Sequence, residues 1–382
     1  MSEQPPPPEA RVESTLVSRF EQIQSLVGAE FEVAEALIEY GVPTFYVNQK
    51  PESKQGFTRL IESLGNIGFT PLLVEKNGRD VVKVGLKPEL KPGRPIINIA
   101  LFLATVATVF ITGYAFSVQL VAKVSTYELN PWVGAAGFTL ALLGVLGVHE
   151  MAHKLAANRH KMKATFPYFI PGIPSVPGMM FGIGTFGAVI IQKEAAPNRD
   201  ALFDIGASGP IAGFIIAILV SAIGLAMSPV ELVTELPSAG ISSLLFSFLV
   251  FMIVETPGPG NYLVHLHPMA FAGFIGMFVT FLNLLPTGML DGGHTLRSIS
   301  NKDFARTIFT GISILILLFA GQLVMLVFVL FLSMYKHPGP LDDVSKLSNS
   351  RKLVSVVLII TFILCLLLPE ETIGAVFRLL GL

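Results

Sequence analysis

A long apolar run that ends in ionisable side chains dominates this sequence. Residues 132–148 contain no Asp, Glu, Lys or Arg; His149 and Glu150 follow at once, and His153 lies one helical turn further on. A helix rises about 1.5 Å per residue, so this run crosses most of a ~30 Å hydrocarbon core. The chain is therefore expected to place a helix in the membrane with polar groups near one end.

The spacing of these polar groups is that of an HExxH motif. Two histidines four residues apart lie on one helix face and can share one zinc ion. The Glu between them can act as a general base on water. A short motif can also arise by chance, but ionisable groups at membrane depth are costly and favour a functional role.

Composition places the whole chain in the membrane class. Of its 382 residues, 52% are hydrophobic and only 14% are charged, and the mean hydropathy is +0.66. A soluble chain of this length would have about 25% charged residues. The net charge of −1 suggests no nucleic-acid partner. The high apolar content makes the lipid bilayer the expected environment.

The N-terminal quarter differs from the rest. Residues 1–13 are acidic and Pro-rich and are predicted to be disordered. Residues 14–92 predict a soluble α+β domain, with helical spacing at 17–27 and 57–64 and an Asn77-Gly78 hairpin turn. Neither a secretory signal nor an organelle transit peptide is visible, so we expect a prokaryotic cell membrane.

The remainder predicts an α-helical polytopic membrane protein with about seven transmembrane helices. Residues 93–300 form the expected membrane core, and residues 301–382 the C-terminal transmembrane helices. The apolar runs lie near 95–118, 131–155, 204–227, 268–289, 304–320, 322–335 and 353–369.

Two of these assignments depend on length. The stretch 304–333 is too long for one ordinary span, and we favour two short helices with a turn at Gly321-Gln322. The run 244–254 is too short to span and is expected to be re-entrant or interfacial.

Positively charged residues predict the orientation of the spans. Four of them precede the first span and four follow the second: Lys83, Lys87, Lys91 and Arg94, then Lys154, Arg159, Lys161 and Lys163. By the positive-inside rule, the N-terminal domain is cytoplasmic and the HExxH motif lies near the cytoplasmic face.

A catalytic zinc needs a third protein ligand. Residues 154–193 contain no Asp or Glu, so a carboxylate must come from farther away. Asp291 is the best candidate, because the span 268–289 is expected to end on the same face. A turn-capping role for Asp291 is the alternative, and His294, three residues on, is the rival ligand.

A later segment has the form Asn283-x-x-Pro286-x-x-x-Leu290-Asp291-Gly292. Together with the HExxH motif, it resembles the site-2 protease family of intramembrane zinc metalloproteases. The Gly209-Pro210-Ile211-Ala212-Gly213 segment is similar to the family's small-residue motif, and residues 187–205 look most like the chloroplast and cyanobacterial branch.

The resemblance implies one zinc per chain and a transmembrane protein as substrate. The family's ligands correspond to His149, His153 and Asp291, and its general base corresponds to Glu150. Asn283 is implied, by its place in the motif, to hydrogen-bond the substrate backbone or the oxyanion. His294 stands where the family often has another basic residue, which keeps its ligand role open.

The segment 166–192 is rich in Pro and Gly and cannot form a regular helix. A peptide bond in a membrane helix must be unwound before cleavage, and its backbone then needs new partners. Thr185 to Gln192 is strand-like, so Thr185, Val189 and Ile190 are candidates to pair with substrate from a membrane-associated β-hairpin. An ordinary membrane-seated loop is an equal alternative.

The rival function is a transporter or ion pathway that uses the same buried polar residues. Such proteins often contain paired half-repeats with broken helices, and none is recognisable in the sequence. A catalytically inactive scaffold is the third possibility, although all four proposed residues are present.

Overall fold

A computed structural model of the chain describes residues 18–48, 52–88, 94–179, 182–235, 240–319, 323–333 and 338–380. Across this part the chain is mostly helical, with an α+β region at its N-terminal end. The expected turn at Gly321-Gln322 lies outside the described residues.

The N-terminal region is a four-stranded antiparallel sheet with two helices. The strand order is β1-β2-β4-β3, which makes β1 and β3 the edge strands. Apolar side chains of both helices pack with the sheet around Phe45, and each such buried side chain contributes about 1.5–3 kcal/mol. Its elements are α1 (Phe20–Glu30), β1 (Glu32–Glu39), β2 (Val42–Asn48), α2 (Ser53–Asn66), β3 (Phe69–Lys76) and β4 (Arg79–Leu86).

One strand of this sheet was not predicted. β1 contains three glutamates among its eight residues, and most of its side chains are exposed or half-buried. Glutamate is depleted in strands, so the local sequence gives little strand signal. Pairing with β2 forms the strand. The predicted hairpin is present between β3 and β4, where Asn77 and Gly78 both have positive φ.

Three long apolar helices have the length and composition to cross a membrane. They are α3 (Pro95–Lys123), α4 (Pro131–Arg159) and α5 (Arg199–Ala226). α4 packs against both α3 and α5, and side chains such as Leu140 and Leu219 remain exposed on the outer surface of the group. Such surfaces suit lipid rather than water.

A short β-hairpin interrupts the helices between α4 and α5. It consists of β5 (Tyr168–Pro171) and β6 (Thr185–Val189), paired antiparallel with Tyr168 opposite Val189. It contacts α3 and α4. The Pro- and Gly-rich segment therefore contains a β-hairpin, and whether this hairpin binds substrate stays a prediction.

The C-terminal half consists of shorter elements. They are β7 (Val230–Val233), β8 (Ile241–Ser243), α6 (Leu244–Ile253), β9 (Asn261–Val264), α7 (Pro268–Asn283), α8 (Asp291–Ile299), α9 (Asp303–Phe319), α10 (Leu323–Ser333), α11 (Asn349–Cys365), β10 (Leu367–Pro369) and α12 (Glu370–Leu380). β7 pairs with β9, and β8 pairs with β10.

The expectation of seven spans is not confirmed. Among the described residues only α3, α4 and α5 reach spanning length. The two short helices favoured within 304–333 stay a prediction, because α9 and α10 are separated by residues outside the described part of the chain.

The predicted span 268–289 is wrong at its C-terminal end. α7 ends at Asn283, six residues early. Pro286 has no N–H to donate, and its ring disfavours the helical conformation of the preceding residue. The chain turns over residues 284–290, and Asp291 begins the separate helix α8 rather than ending a span.

Candidate metal centre

α4 positions the three residues of the HExxH motif near its C-terminal end. His149, Glu150 and His153 are 3%, 8% and 5% exposed. The i, i+4 spacing places both imidazoles on one face, with ring centroids 4.7 Å apart. Neither ring faces water, so this pair has the burial expected of a ligand site rather than of surface histidines.

Asp291 completes a compact triangle of donor atoms. Nε2 of His149 lies 3.1 Å from Nε2 of His153, and each lies 3.2 Å from Oδ2 of Asp291. Ligands of a tetrahedral zinc with ~2 Å bonds lie about 3.3 Å apart. The observed triangle therefore fits a zinc ion with one position left open.

A main-chain carbonyl fixes the tautomer of His153. The Nδ1–H of His153 donates to the carbonyl oxygen of Ile205 on α5, at 2.6 Å. Because a carbonyl can only accept, the proton must be on Nδ1. Nε2 of His153 then presents its lone pair to the triangle. In metal sites a hydrogen bond on the other ring nitrogen commonly fixes the tautomer in this way.

Two glycines of α5 let this helix approach the ligand histidines. A Cβ on Gly209 would overlap the His153 ring, and one on Gly213 would lie 3.1 Å from Nδ1 of His149. Small residues in membrane helices allow such close packing. The structure identifies what they pack against: the two imidazoles.

Asn283 and His294 occupy different places relative to the triangle. The side-chain nitrogen of Asn283 lies 3.2 Å from Nε2 of His149, beside the donor atoms. His294 lies on α8 and packs against α5, with its Cβ 2.8 Å from where a Cβ on Gly206 would be. In the described residues the metal-compatible group is His149, His153 and Asp291, without His294.

The electrostatics of Asp291 favour its charged form. Burial alone would raise the pKa of this carboxyl, but the adjacent imidazoles of His153 and His149 lower its pKa below the ordinary value. Its place in the first turn of α8 adds the favourable helix dipole, worth about 0.3–1 kcal/mol. An ionised Asp291 is the form that binds a metal.

The other histidines described have different partners. His160 bonds Asp204 at 2.8 Å, and His265 bonds Glu231 at 2.8 Å. His267 caps α7 by accepting the N–H of Met269 on Nδ1. Burial lowers the pKa of His267 to about 4, so it is neutral and able to accept.

The β5–β6 hairpin reaches the motif at Glu150. The main-chain amide of Ile190, directly after β6, lies beside the Glu150 carboxyl. Val189 is 46% exposed, whereas Thr185 is buried and its hydroxyl donates to the carbonyl of Ile170 at 2.9 Å. The Thr185 side chain therefore holds the hairpin together, and only its main chain could face a substrate.

Some neighbours of the site were not found from the sequence. The carbonyl of Ile205 gives no residue-type signal, because every residue has one. The close approach of Gly206 to the Asp291 carbonyl oxygen and to His294 also depends on how α5 and α8 pack. The Gly209 to Gly213 motif was the only local signal for these contacts.

Taken with the apolar helices, this geometry defines a membrane protein with a buried candidate metal site beside a carboxylate. The family description "Peptidase family M50" matches residues 137–328, just over half of the chain. The chain belongs to this family, and the resemblance to site-2 proteases is confirmed.

Relatives support the chloroplast branch. The chain is 31% identical to "Probable zinc metalloprotease EGY1, chloroplastic" of Arabidopsis thaliana, over 63% of this chain and 44% of that protein. It is 29% identical to the protein of the same name of Oryza sativa subsp. japonica, over 71% and 50%. The matches span about half the length of these relatives or less. No solved structure matches the chain.

Proposed function

We propose that this protein is an intramembrane zinc metalloprotease that hydrolyses peptide bonds within or near transmembrane segments of membrane-protein substrates. The observation that carries the proposal is the triangle of His149, His153 and Asp291, with Glu150 adjacent to the first ligand. The names of the relatives, which print "zinc metalloprotease", agree with it. The arrangement fits one zinc per chain.

The residues divide the chemistry between them. A zinc ion held by the triangle would supply Lewis-acid chemistry and would lower the pKa of water toward ~7. Glu150 takes a proton from the attacking water and delivers it to the leaving amide nitrogen. The water oxygen forms the new bond to the carbonyl carbon, and the C–N bond breaks. The Asn283 amide is placed to donate to the developing oxyanion.

The close spacing of the three donor atoms of the triangle favours a metalloprotease over a transporter. The three donor atoms lie within 3.2 Å of one another, which suits a bound ion rather than a pathway of spaced sites. The test is a cleavage assay with purified protein and a transmembrane substrate in lipid vesicles. Zinc-dependent cleavage supports the proposal; ion or solute flux without cleavage would establish the transporter instead.

β6 is proposed to bind the unwound substrate as an added strand. Among the described residues its partner is β5 alone, and its C-terminal end approaches Glu150 through Ile190. An extended peptide on the free edge would therefore run past the general base. Main-chain hydrogen bonds would replace those lost when the substrate helix unwinds.

A photoreactive residue at Val189 is expected to capture substrate in the Glu150→Gln background, where substrate is bound and not cleaved. Leu140 is the matched control, because it is 75% exposed on the outer surface of α4. Ile190→Pro is a poorer test, since it also removes the amide that faces Glu150. Equal capture from Val189 and Leu140 would mean that the hairpin is only a membrane-seated loop.

The chain is proposed to have a cytoplasmic N-terminal domain in a multi-pass arrangement in a prokaryotic cell membrane. Its relatives are chloroplastic by name, which leaves this orientation to experiment. Cysteines introduced at Gln49 and Leu382 are expected to be labelled from opposite sides. The native Cys365 is buried and gives little background. Labelling from the same side would mean that a span is miscounted within 241–256 or 304–335.

A further inference from the structure

The segment that leads into α11 contacts the soluble domain through its main chain. Residues 338–348, here called the connecting segment, pass beside the edge strand β3. Leu73 of β3 donates its N–H to the carbonyl of Leu341 at 2.8 Å and accepts the N–H of Asp343 at 3.0 Å. Leu341 and Val344 also pack against the hydrophobic core of the domain. The connecting segment thus forms an isolated parallel β-bridge with the edge of this sheet, between Asp342 and Leu73.

The opposite edge of the same segment contacts the membrane core. Leu341 donates its N–H to the carbonyl of Ala196 at 2.8 Å, and Asp342 donates to the carbonyl of Pro197 at 3.1 Å. These residues lead directly into α5, whose N-cap is Asn198. Continuous main-chain hydrogen bonds therefore run from the soluble sheet to the helix that contacts both ligand histidines.

The side chain of Asp343 binds α8 from the same place. Arg297 forms a two-pronged ion pair with it, with Nη1–Oδ1 and Nη2–Oδ2 distances of 2.8 and 2.6 Å. Arg199 at the start of α5 donates to the Asp343 carbonyl at 2.6 Å. The three side chains are only 11–19% exposed, so solvent screens these pairs little.

Arg297 and Asp291 belong to one helix of nine residues, α8. A short helix moves as a rigid body, so the bidentate ion pair of Arg297 with Asp343 fixes the orientation of α8. A shift of α8 by even half an ångström would change the distances from Oδ2 of Asp291 to both imidazoles. Zinc sites tolerate only about 0.2 Å of such error.

We propose that Asp343 is a positioning residue. Through its ion pair with Arg297 it fixes the orientation of α8, and therefore the position of the Asp291 carboxylate. Its main-chain hydrogen bond to Leu73 links this position of α8 to the N-terminal domain. This inference rests on the metal site of the proposed function. It gives the soluble domain a role that the ligand triangle alone does not, because release of β3 from the connecting segment would loosen the third ligand.

The test uses Asp343→Asn in the full-length protein. Asn keeps the size and the main-chain hydrogen bonds but loses the charge that holds the Arg297 fork. The expected result is a zinc affinity lower by about 10–100-fold, the usual effect of losing an outer-shell partner. The visible spectrum of the cobalt-substituted protein should also change, and hydrogen exchange across 291–299 should become faster.

Three further variants make the result decisive. Arg297→Gln should reproduce the loss, and the double variant should be no worse than either single one, because both remove the same interaction. Glu62→Gln is the matched control. It breaks an exposed 2.6 Å ion pair between Glu62 of the N-terminal domain and Lys161, which follows α4. It should leave zinc affinity unchanged.

Zinc affinity, cobalt spectrum and exchange of α8 that are all unchanged in Asp343→Asn and Arg297→Gln would overturn the inference. Additive losses in the double variant would do the same. If Asp343→Asn fails to fold, Arg297→Gln alone is measured by the same criteria. A wild-type protein that binds zinc and cleaves no transmembrane substrate would refute the proposed function and leave this inference intact.

Discussion

Glu150→Gln is expected to lower peptide-bond hydrolysis by at least about 10²-fold, and by up to ~10⁴-fold, while zinc stays bound. Gln is close to Glu in size and still presents a side-chain oxygen beside the Ile190 amide, so the site should keep its shape. It cannot take a proton from water at neutral pH. The measurements are the turnover number on a transmembrane substrate and the zinc content of the same preparation.

Glu231→Gln is the control for this variant. Its carboxylate is half exposed and bonds His265 on the β7–β9 pair. This change should leave turnover and zinc content at wild-type values. If Glu150→Gln retained most of its turnover, Glu150 would not be the general base, and the buried carboxylate would fit an ion pathway better.

The HExxH motif was accessible to sequence reasoning because it is local. Two histidines at i and i+4 face the same way whenever the segment is helical, and an apolar run of this length is helical in a membrane. Burial of His149 and His153 also requires the packing of α5 against them, which the motif alone does not predict. No long-range information was needed to place them on one face.

Asp291 was found by a different route, and part of that route was wrong. Its position on the cytoplasmic side came from counting spans, whereas its approach to the histidines depends on the break after Asn283. Pro286 signals this break, but a Pro can also sit within a kinked membrane helix. Only packing between α5 and α8 decides that the chain turns and starts a new helix at Asp291.

The contacts of the connecting segment could not be predicted at all. Leu73 and Leu341 are 268 positions apart and are joined by main-chain atoms, which have no sequence signature. Asp343 likewise has no local mark of its ion pair with Arg297. The α+β character of the N-terminal region was predictable from its hairpin and helices, but its contacts through the connecting segment were not, because edge-strand pairing depends on tertiary structure.

Replacement of any one of His149, His153 and Asp291 by Ala is expected to remove nearly all bound zinc. Three donors within 3.2 Å of one another act on a single ion, so two cannot hold it nearly as well. The loss of affinity should exceed the 10–100-fold that outer-shell changes cause. Hydrolysis should fall with zinc content, because the remaining residues supply no Lewis acid.

The decisive comparison is between Asp291→Ala and His294→Ala. His294 lies on the same helix as Asp291 but packs against α5 at Gly206, so His294→Ala should keep its zinc. His265→Ala, far from the site on the β7–β9 pair, should keep it as well. Titration with a zinc chelator measures each affinity, and a thermal unfolding curve for each variant separates loss of metal from loss of fold. Full zinc loading in Asp291→Ala together with loss in His294→Ala would transfer the third ligand to His294, and α8 would then have to rotate from the position that the Asp343–Arg297 pair gives it.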